Sequence, residues 1–249
     1  MLTTLSLAEL ILLVSGLCIV AMMYAMVGHG GGSGYIAVLA LASFAPETLR
    51  PIALTLNVFV ASISTFAFNK QKKPKPSLLY PLIIMSIPCS FVGGLIQLDE
   101  AIYKPILGIV LSLAAAKLFM KSKQKHKLST PLFTVLLLGS SIGLVSGIIG
   151  IGGGIFLSPI LLLFGFANAR ETAAISAPFV LCNSIAALVG VMISSPEIGQ
   201  VAIKSLPLTC AVIVGGAVGA TIGSRNLGQR GLRLMLGCVL VVAAIKMFL

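Results

Sequence analysis

The chain has 249 residues, of which 58% are apolar and 9% charged. A soluble domain carries about a quarter charged residues, so the composition excludes an ordinary soluble domain, a disordered chain and a disulfide scaffold, and leaves a polytopic membrane protein. The net charge of +11 would point to nucleic acid in a soluble protein; in a membrane protein it is first a topology signal, and no nucleic-acid partner is expected. A spanning helix needs about 20 mostly apolar residues. In chain order the candidates are 7–27, 51–68, 78–97, 104–120, 132–149, 172–194, 204–223 and 232–249. Two further apolar runs, 34–44 and 155–166, are only about a dozen residues long, too short to cross comfortably. Each follows a glycine cluster, so each reads as half of a re-entrant or broken hairpin. No cleavable signal peptide is expected, because the first residues carry no basic side chain and the run 7–27 is too long for a signal core.

The chain repeats itself. Val27-Gly28-His29-Gly30-Gly31-Gly32 matches Ile149-Gly150-Ile151-Gly152-Gly153-Gly154, and Ala53-Leu54-Thr55 matches Ala174-Ile175-Ser176. Ala116-Lys117-Leu118-Phe119 matches Ile245-Lys246-Met247-Phe248 at a similar spacing. Such weak internal repeats are the usual mark of duplicated transporter halves. The expected architecture is an all-α polytopic membrane protein with two inverted repeats, residues 1–127 and 128–249. Each repeat is a broken or re-entrant helical hairpin followed by three transmembrane helices. An odd number of passes per half requires the inversion.

Charge supports that count. The side on which the chain starts holds Glu9, Glu47, Arg50, Asp99, Glu100, Lys104, Glu197 and Lys204. The other side holds Lys70, Lys72, Lys73, Lys75, Lys121, Lys123, Lys125, Lys127, Arg170, Arg225, Arg230 and Arg233, with only Glu171 against them. The positive-inside rule makes the second side cytoplasmic. The expected location is a bacterial inner membrane with both termini outside. The bilayer is the main partner, and contact of the basic loops with anionic lipid follows from their charge.

Cys18, Cys89, Cys182, Cys210 and Cys238 all sit in apolar segments without a C-x-x-C pair, so they read as packing residues. No metal, cofactor or catalytic centre is expected. The chemistry is concentrated in the glycines. Gly28, Gly30, Gly31, Gly32 and Gly34 precede one short helix, and Gly147, Gly150, Gly152, Gly153 and Gly154 precede the other. A glycine turn entering a helix presents N–H groups at the positive end of the helix dipole. Inversion brings two such tips from opposite faces to the midplane, an anion site with few fixed charges. Single pairs such as Gly215/Gly219 and Gly93/Gly94 read instead as close helix packing.

No Asp or Glu occupies a span centre, where a cation or proton pump would place one. Recognition then rests on N–H groups and hydroxyl or amide side chains: Ser33, Thr55, Asn57, Ser158, Ser176 and Asn183. Thr55 and Ser176 are related by the repeat. His29 at its glycine tip could donate to an anion, couple transport to protons, or cap the turn. Tyr35 offers one more donor. Arg50 and Arg170 lie near the far ends of the short helices, at the mouths or in the solvated interface.

Gly150-Ile151-Gly152-Gly153-Gly154-Ile155-Phe156-Leu157-Ser158-Pro159-Ile160-Leu161 resembles the G-x-G-G-G-x-x-x-x-P-x-L signature of the TauE/SafE family. Ala174-Ile175-Ser176 and Asn183-Ser184 resemble the stretch that follows it. In the first half His29 interrupts the glycines and Ser33-Gly34-Tyr35 replaces the apolar start. The resemblance implies export of sulfur-containing anions such as sulfite, sulfoacetate or a related organosulfonate. Thiosulfate uptake and a passive anion channel are alternatives. Gly31-Gly32-Ser33-Gly34 also spells the G-x-S-G of intramembrane serine proteases. Such an enzyme needs a histidine base on another span, and His29 shares the serine's own turn.

Overall fold

A computed structural model of the protein describes residues 6–97 and 131–225, with positions 99, 101, 102, 105, 109, 112 and 241. The expected spans 104–120 and 232–249 lie, isolated positions apart, outside the described residues, as do His126, Cys238 and the repeat pair at Lys117 and Lys246. Among the described residues the chain is helical without strands. The elements are α1 (Leu7–Ala25), α2 (Gly32–Leu41), α3 (Pro46–Gln71), α4 (Pro76–Leu95), α5 (Leu132–Ile149), α6 (Gly154–Leu163), α7 (Ala169–Ser194), α8 (Pro196–Lys204) and α9 (Leu206–Arg225). Six of them are long and apolar enough to cross a membrane.

Local chemistry sets most boundaries. Ser6 caps α1 and Glu9 reaches back to it, a reciprocal capping box. Asn168 and Glu171 do the same for α7. α3 and α4 each begin with proline in the first turn, where its missing N–H costs nothing. α3 extends beyond the expected 51–68 at both ends, because its helix starts ahead of Pro51 and runs on to Gln71. At 26 residues it is roughly 39 Å long, so its ends project beyond a hydrocarbon core of about 30 Å. α2 and α6 have ten residues each, roughly 15 Å, half that thickness. α8 was not expected. It is a nine-residue amphipathic helix between two spans, too short for the apolar-run criterion.

α3 and α7 pack against each other at the centre and are the most buried spans. α1, α2 and α9 surround α3, while α4, α5 and α6 surround α7. Two seams of small residues hold the outer helices. Gly215, Gly219 and Gly223 of α9 lie on the backbone carbonyls of Cys18 and Met22 of α1 and of Met26 at its C-terminal cap. Gly139, Gly143 and Gly147 of α5 lie in the same way on Leu82, Ser86 and Ser90 of α4. Glycine at every fourth position lets two helix backbones touch, which in lipid replaces the missing hydrophobic driving force. Gly93 and Gly94 extend the second seam onto α5 and α7. Large apolar side chains such as Leu12, Phe66, Ile84 and Phe133 point outward, as lipid-facing helices require.

Gly143→Ala and Gly219→Ala each place a methyl group against a facing carbonyl. Each is expected to cost about 1–3 kcal/mol, read as a lower midpoint of thermal unfolding in detergent. Gly16→Ala meets only the Val38 side chain at 3.2 Å and is expected to shift the midpoint less. Equal shifts for all three would contradict the seam assignment.

Candidate functional site

The first glycine tip joins α1 to α2. Gly28 and Gly31 take positive φ, +76° and +112°, which an L side chain rarely adopts. The tip folds back on α1 through His29 N–H donating to the Tyr24 carbonyl at 2.9 Å. Two tyrosines brace it. The Tyr35 hydroxyl donates to the Gly30 carbonyl at 2.6 Å, and the Tyr24 hydroxyl shares a 2.5 Å hydrogen bond with Ser33 Oγ. Tyr35 and Ser33 are thereby engaged within their own half. Gly28 lies directly on the backbone of Ala173 in α7.

The second tip joins α5 to α6. Gly150 ends α5 in the left-handed region with its N–H on the Ser146 carbonyl at 2.8 Å, and Gly152 and Gly153 continue at positive φ. Arg50 secures this tip. Its guanidinium donates to the carbonyls of Gly93 (2.8 Å), Gly94 (3.0 Å), Ile96 (2.8 Å) and Gly147 (2.5 Å), and its aliphatic stem packs on Gly150. It thus binds the C-terminal carbonyls of α4 and a carbonyl near the end of α5, where a helix presents the negative end of its dipole. Placed at the mouth or in the interface by its sequence position, Arg50 is a half-buried clamp. Arg170 is exposed.

The tips meet at Asn57, near the middle of α3. Its amide Nδ2 donates to the Ile151 carbonyl at 3.1 Å and to Ser184 Oγ at 3.3 Å. Gly30 and Gly32 of one tip and Gly152 of the other press against this amide, and Gly32 also lies on the Ile151 backbone. Any side chain at these glycines would fill the place of Asn57. A second link joins the tips. His29 Nε2 is 2.7 Å from Ser158 Oγ on α6, and Ser158 is 2.9 Å from Ser176 Oγ on α7. The His29 ring also lies against Gly154.

Both short helices begin at this junction. α2 starts at Gly32 after the left-handed Gly31, and α6 starts at Gly154 after the left-handed Gly153; neither start has a side-chain cap. Among the described residues, buried polar atoms without a hydrogen-bond partner include His29 Nδ1, Asn57 Oδ1 and Ser146 Oγ at the tips, and both amide atoms of Asn183, about one turn along α7 from the Val180 that borders Gly152 and Gly154. Ser146 borders Gly153 directly. Thr55 lies apart from this network and donates to the Pro51 carbonyl of its own helix at 2.8 Å. Its repeat partner Ser176 is in the network. Tyr24, Ser146 and Ser184 complete the surroundings. Of these only Ser184 carried a sequence signal, through Asn183-Ser184.

Among the described residues the G-x-S-G serine has no histidine partner: Ser33 pairs with Tyr24, while His29 pairs with Ser158. Ser158 is itself bonded onward to Ser176, so the contact links the first tip to α6 and α7.

Asn57→Ala strips the Ile151 carbonyl and Ser184 of their partner, and is expected to cost about 1–3 kcal/mol. Arg50→Lys keeps the charge but loses the planar fork that reaches four carbonyls, and is expected to destabilise in the same direction. Thermal unfolding of both variants in detergent checks this; unchanged midpoints would show that the tips are held by something else.

Compared with known proteins, residues 12–247 match the family described as sulfite exporter TauE/SafE. A probable membrane transporter protein of Sinorhizobium fredii is 39% identical over 236 residues, covering 92% of this chain and 94% of that protein. A probable membrane transporter protein of Methanocaldococcus jannaschii is 31% identical over 205 residues, covering 77% of this chain and 76% of that protein. No solved structure matches the chain. The two glycine tips, the six apolar spans and these matches lead to one assignment: the chain belongs to the TauE/SafE sulfite exporter family of membrane transporters.

Proposed function

We propose that the protein exports a small sulfur-containing anion, sulfite or an organosulfonate such as sulfoacetate, bound between the two glycine tips. One observation carries the reading: two uncapped helix N-termini begin at the same buried junction. Each N-terminus carries roughly half a positive elementary charge. Placing two of them together in a low-dielectric interior is unfavourable unless an anion lies between. Among the described residues, acids are missing from the buried polar set, which is His, Ser, Thr and Asn. The substrate's charge would be met by tip N–H groups, with Ser146, Asn183 and His29 completing its hydrogen bonds. His29 Nδ1 is the atom at which a coupled proton would sit.

The same proposal takes residues 1–127 and 128–249 as inverted halves that expose the junction alternately to the two sides. The ends of α3 and α9, with Lys70, Lys72, Lys73, Lys75 and Arg225, face the cytoplasm of a bacterial inner membrane.

Asn183 gives a test that separates transport from folding. Its amide is buried and unpaired, and such a group destabilises a protein. Asn183→Leu is therefore expected to keep or raise the unfolding midpoint. In proteoliposomes it should lower flux of labelled sulfite or sulfoacetate by roughly tenfold or more, the loss of a hydrogen bond to a charged group. Undiminished anion flux in this variant, or wild-type flux of a cation and none of sulfite, sulfoacetate or thiosulfate, would overturn the proposal. In intact cells Lys73→Cys should react with a membrane-impermeant thiol reagent only after the membrane is opened; reaction from outside would reverse the orientation.

A further inference from the structure

α3 and α9 touch where Gly216 meets Val60, whose methyl carbon would be 3.1 Å from a Cβ there. From that contact toward their basic ends they enclose an open groove of about 460 Å³. It runs from Ser62 to Gln71 on one wall and from Ala217 to Arg225 on the other. Nine residues of helix are roughly 14 Å, about half of a bilayer's hydrocarbon core.

The groove changes character along its length. Its inner part is lined by Ile63, Phe66, Ala67 and Ala217, and its outer lip by Lys70, Gln71 and Arg225. Phe66 is 75% exposed, so the inner part opens sideways toward lipid. The hydroxyls that border the groove donate to carbonyls of their own helices: Ser62 to Val58, Thr221 to Ala217 and Ser224 to Thr221. The lip therefore recognises by its two cations. Among the described residues, none that lines the groove is acidic. A small hydrophilic anion would use the lip alone and leave the apolar walls wet.

We propose that this groove binds an anionic glycerophospholipid, its phosphodiester between Lys70 and Arg225 and the start of an acyl chain along Phe66 and Ile63. The site is distinct from the glycine-tip junction and does not depend on the transported substrate. It sits on α3, the helix that carries Asn57, so lipid bound there supports the helix on which the tips meet.

The test uses the purified full-length protein with phosphatidylglycerol or phosphatidylcholine added in detergent. Retained lipid is read by native mass spectrometry and the unfolding midpoint by heating. Phosphatidylglycerol is expected to be retained in preference and to raise the midpoint. The double variant Lys70→Gln/Arg225→Gln should retain roughly thirtyfold less of it, as expected for two basic residues at a lipid surface. Lys73→Gln/Arg170→Gln, equally basic positions outside the groove, should behave as wild type. Equal retention of the two lipids, or equal loss in both double variants, would overturn the proposal. So would a midpoint rise of the same size from millimolar inorganic phosphate alone, which would make the lip a site for free anions.

Discussion

Two helix N-termini, one from each glycine tip, converge on the amide of Asn57. That juxtaposition is the constraint on which the rest of the structure depends. Helix ends are the most polar parts of a helix, and a membrane interior tolerates irregular backbone only where protein or a wet cavity surrounds it. The Asn57 amide fits only because Gly30, Gly32 and Gly152 have no side chains. It also ties α3 to the second tip and to α7, since Nδ2 donates to the Ile151 carbonyl and to the Ser184 hydroxyl. The glycine clusters of this chain thus have a steric cause in addition to their conformational freedom.

The remaining architecture serves to keep those two breaks in place. Each helix leading into a tip is fastened by a glycine seam: α1 to α9, and α5 to α4. Under the proposed duplication each seam joins the entry helix of one half to the last described span of the other, so neither half closes alone. Arg50 adds an electrostatic fastening, gathering carbonyls from α4 and α5 around the base of the second tip. At the other end of α4, Lys75 pairs with Glu171 near the start of α7 at 3.0 Å. Arg50 and Glu171 lie in corresponding stretches of the repeat, and each meets a helix end of opposite polarity.

The six described spans and the glycine clusters were legible in the sequence because a bilayer imposes a length and a polarity that periodicity cannot disguise. Leu132–Ile149 matched to the residue, and the two short helices fell where the runs after the glycines placed them. What escaped depends on tertiary contact. Arg50 looked like an interfacial charge, because nothing local says that four carbonyls from distant segments surround it. Thr55 and Ser176 looked equivalent, yet the Thr55 hydroxyl turns back onto the Pro51 carbonyl of its own helix, while Ser176 faces Ser158 on α6. Tyr24 gave no signal, since an aromatic residue in an apolar span reads as packing. α8 is too short and too amphipathic to register as a span.

The central claim is that an anion lies between the tips. Selenite has the shape and charge of sulfite, and its selenium scatters X-rays anomalously, so crystals grown with selenite locate the anion directly. The account predicts an anomalous peak at the junction, within hydrogen-bonding distance of the N–H groups that open α2 and α6 and beside Ser146. A peak only elsewhere, or a junction that stays empty at selenite concentrations that block sulfite flux, would contradict it.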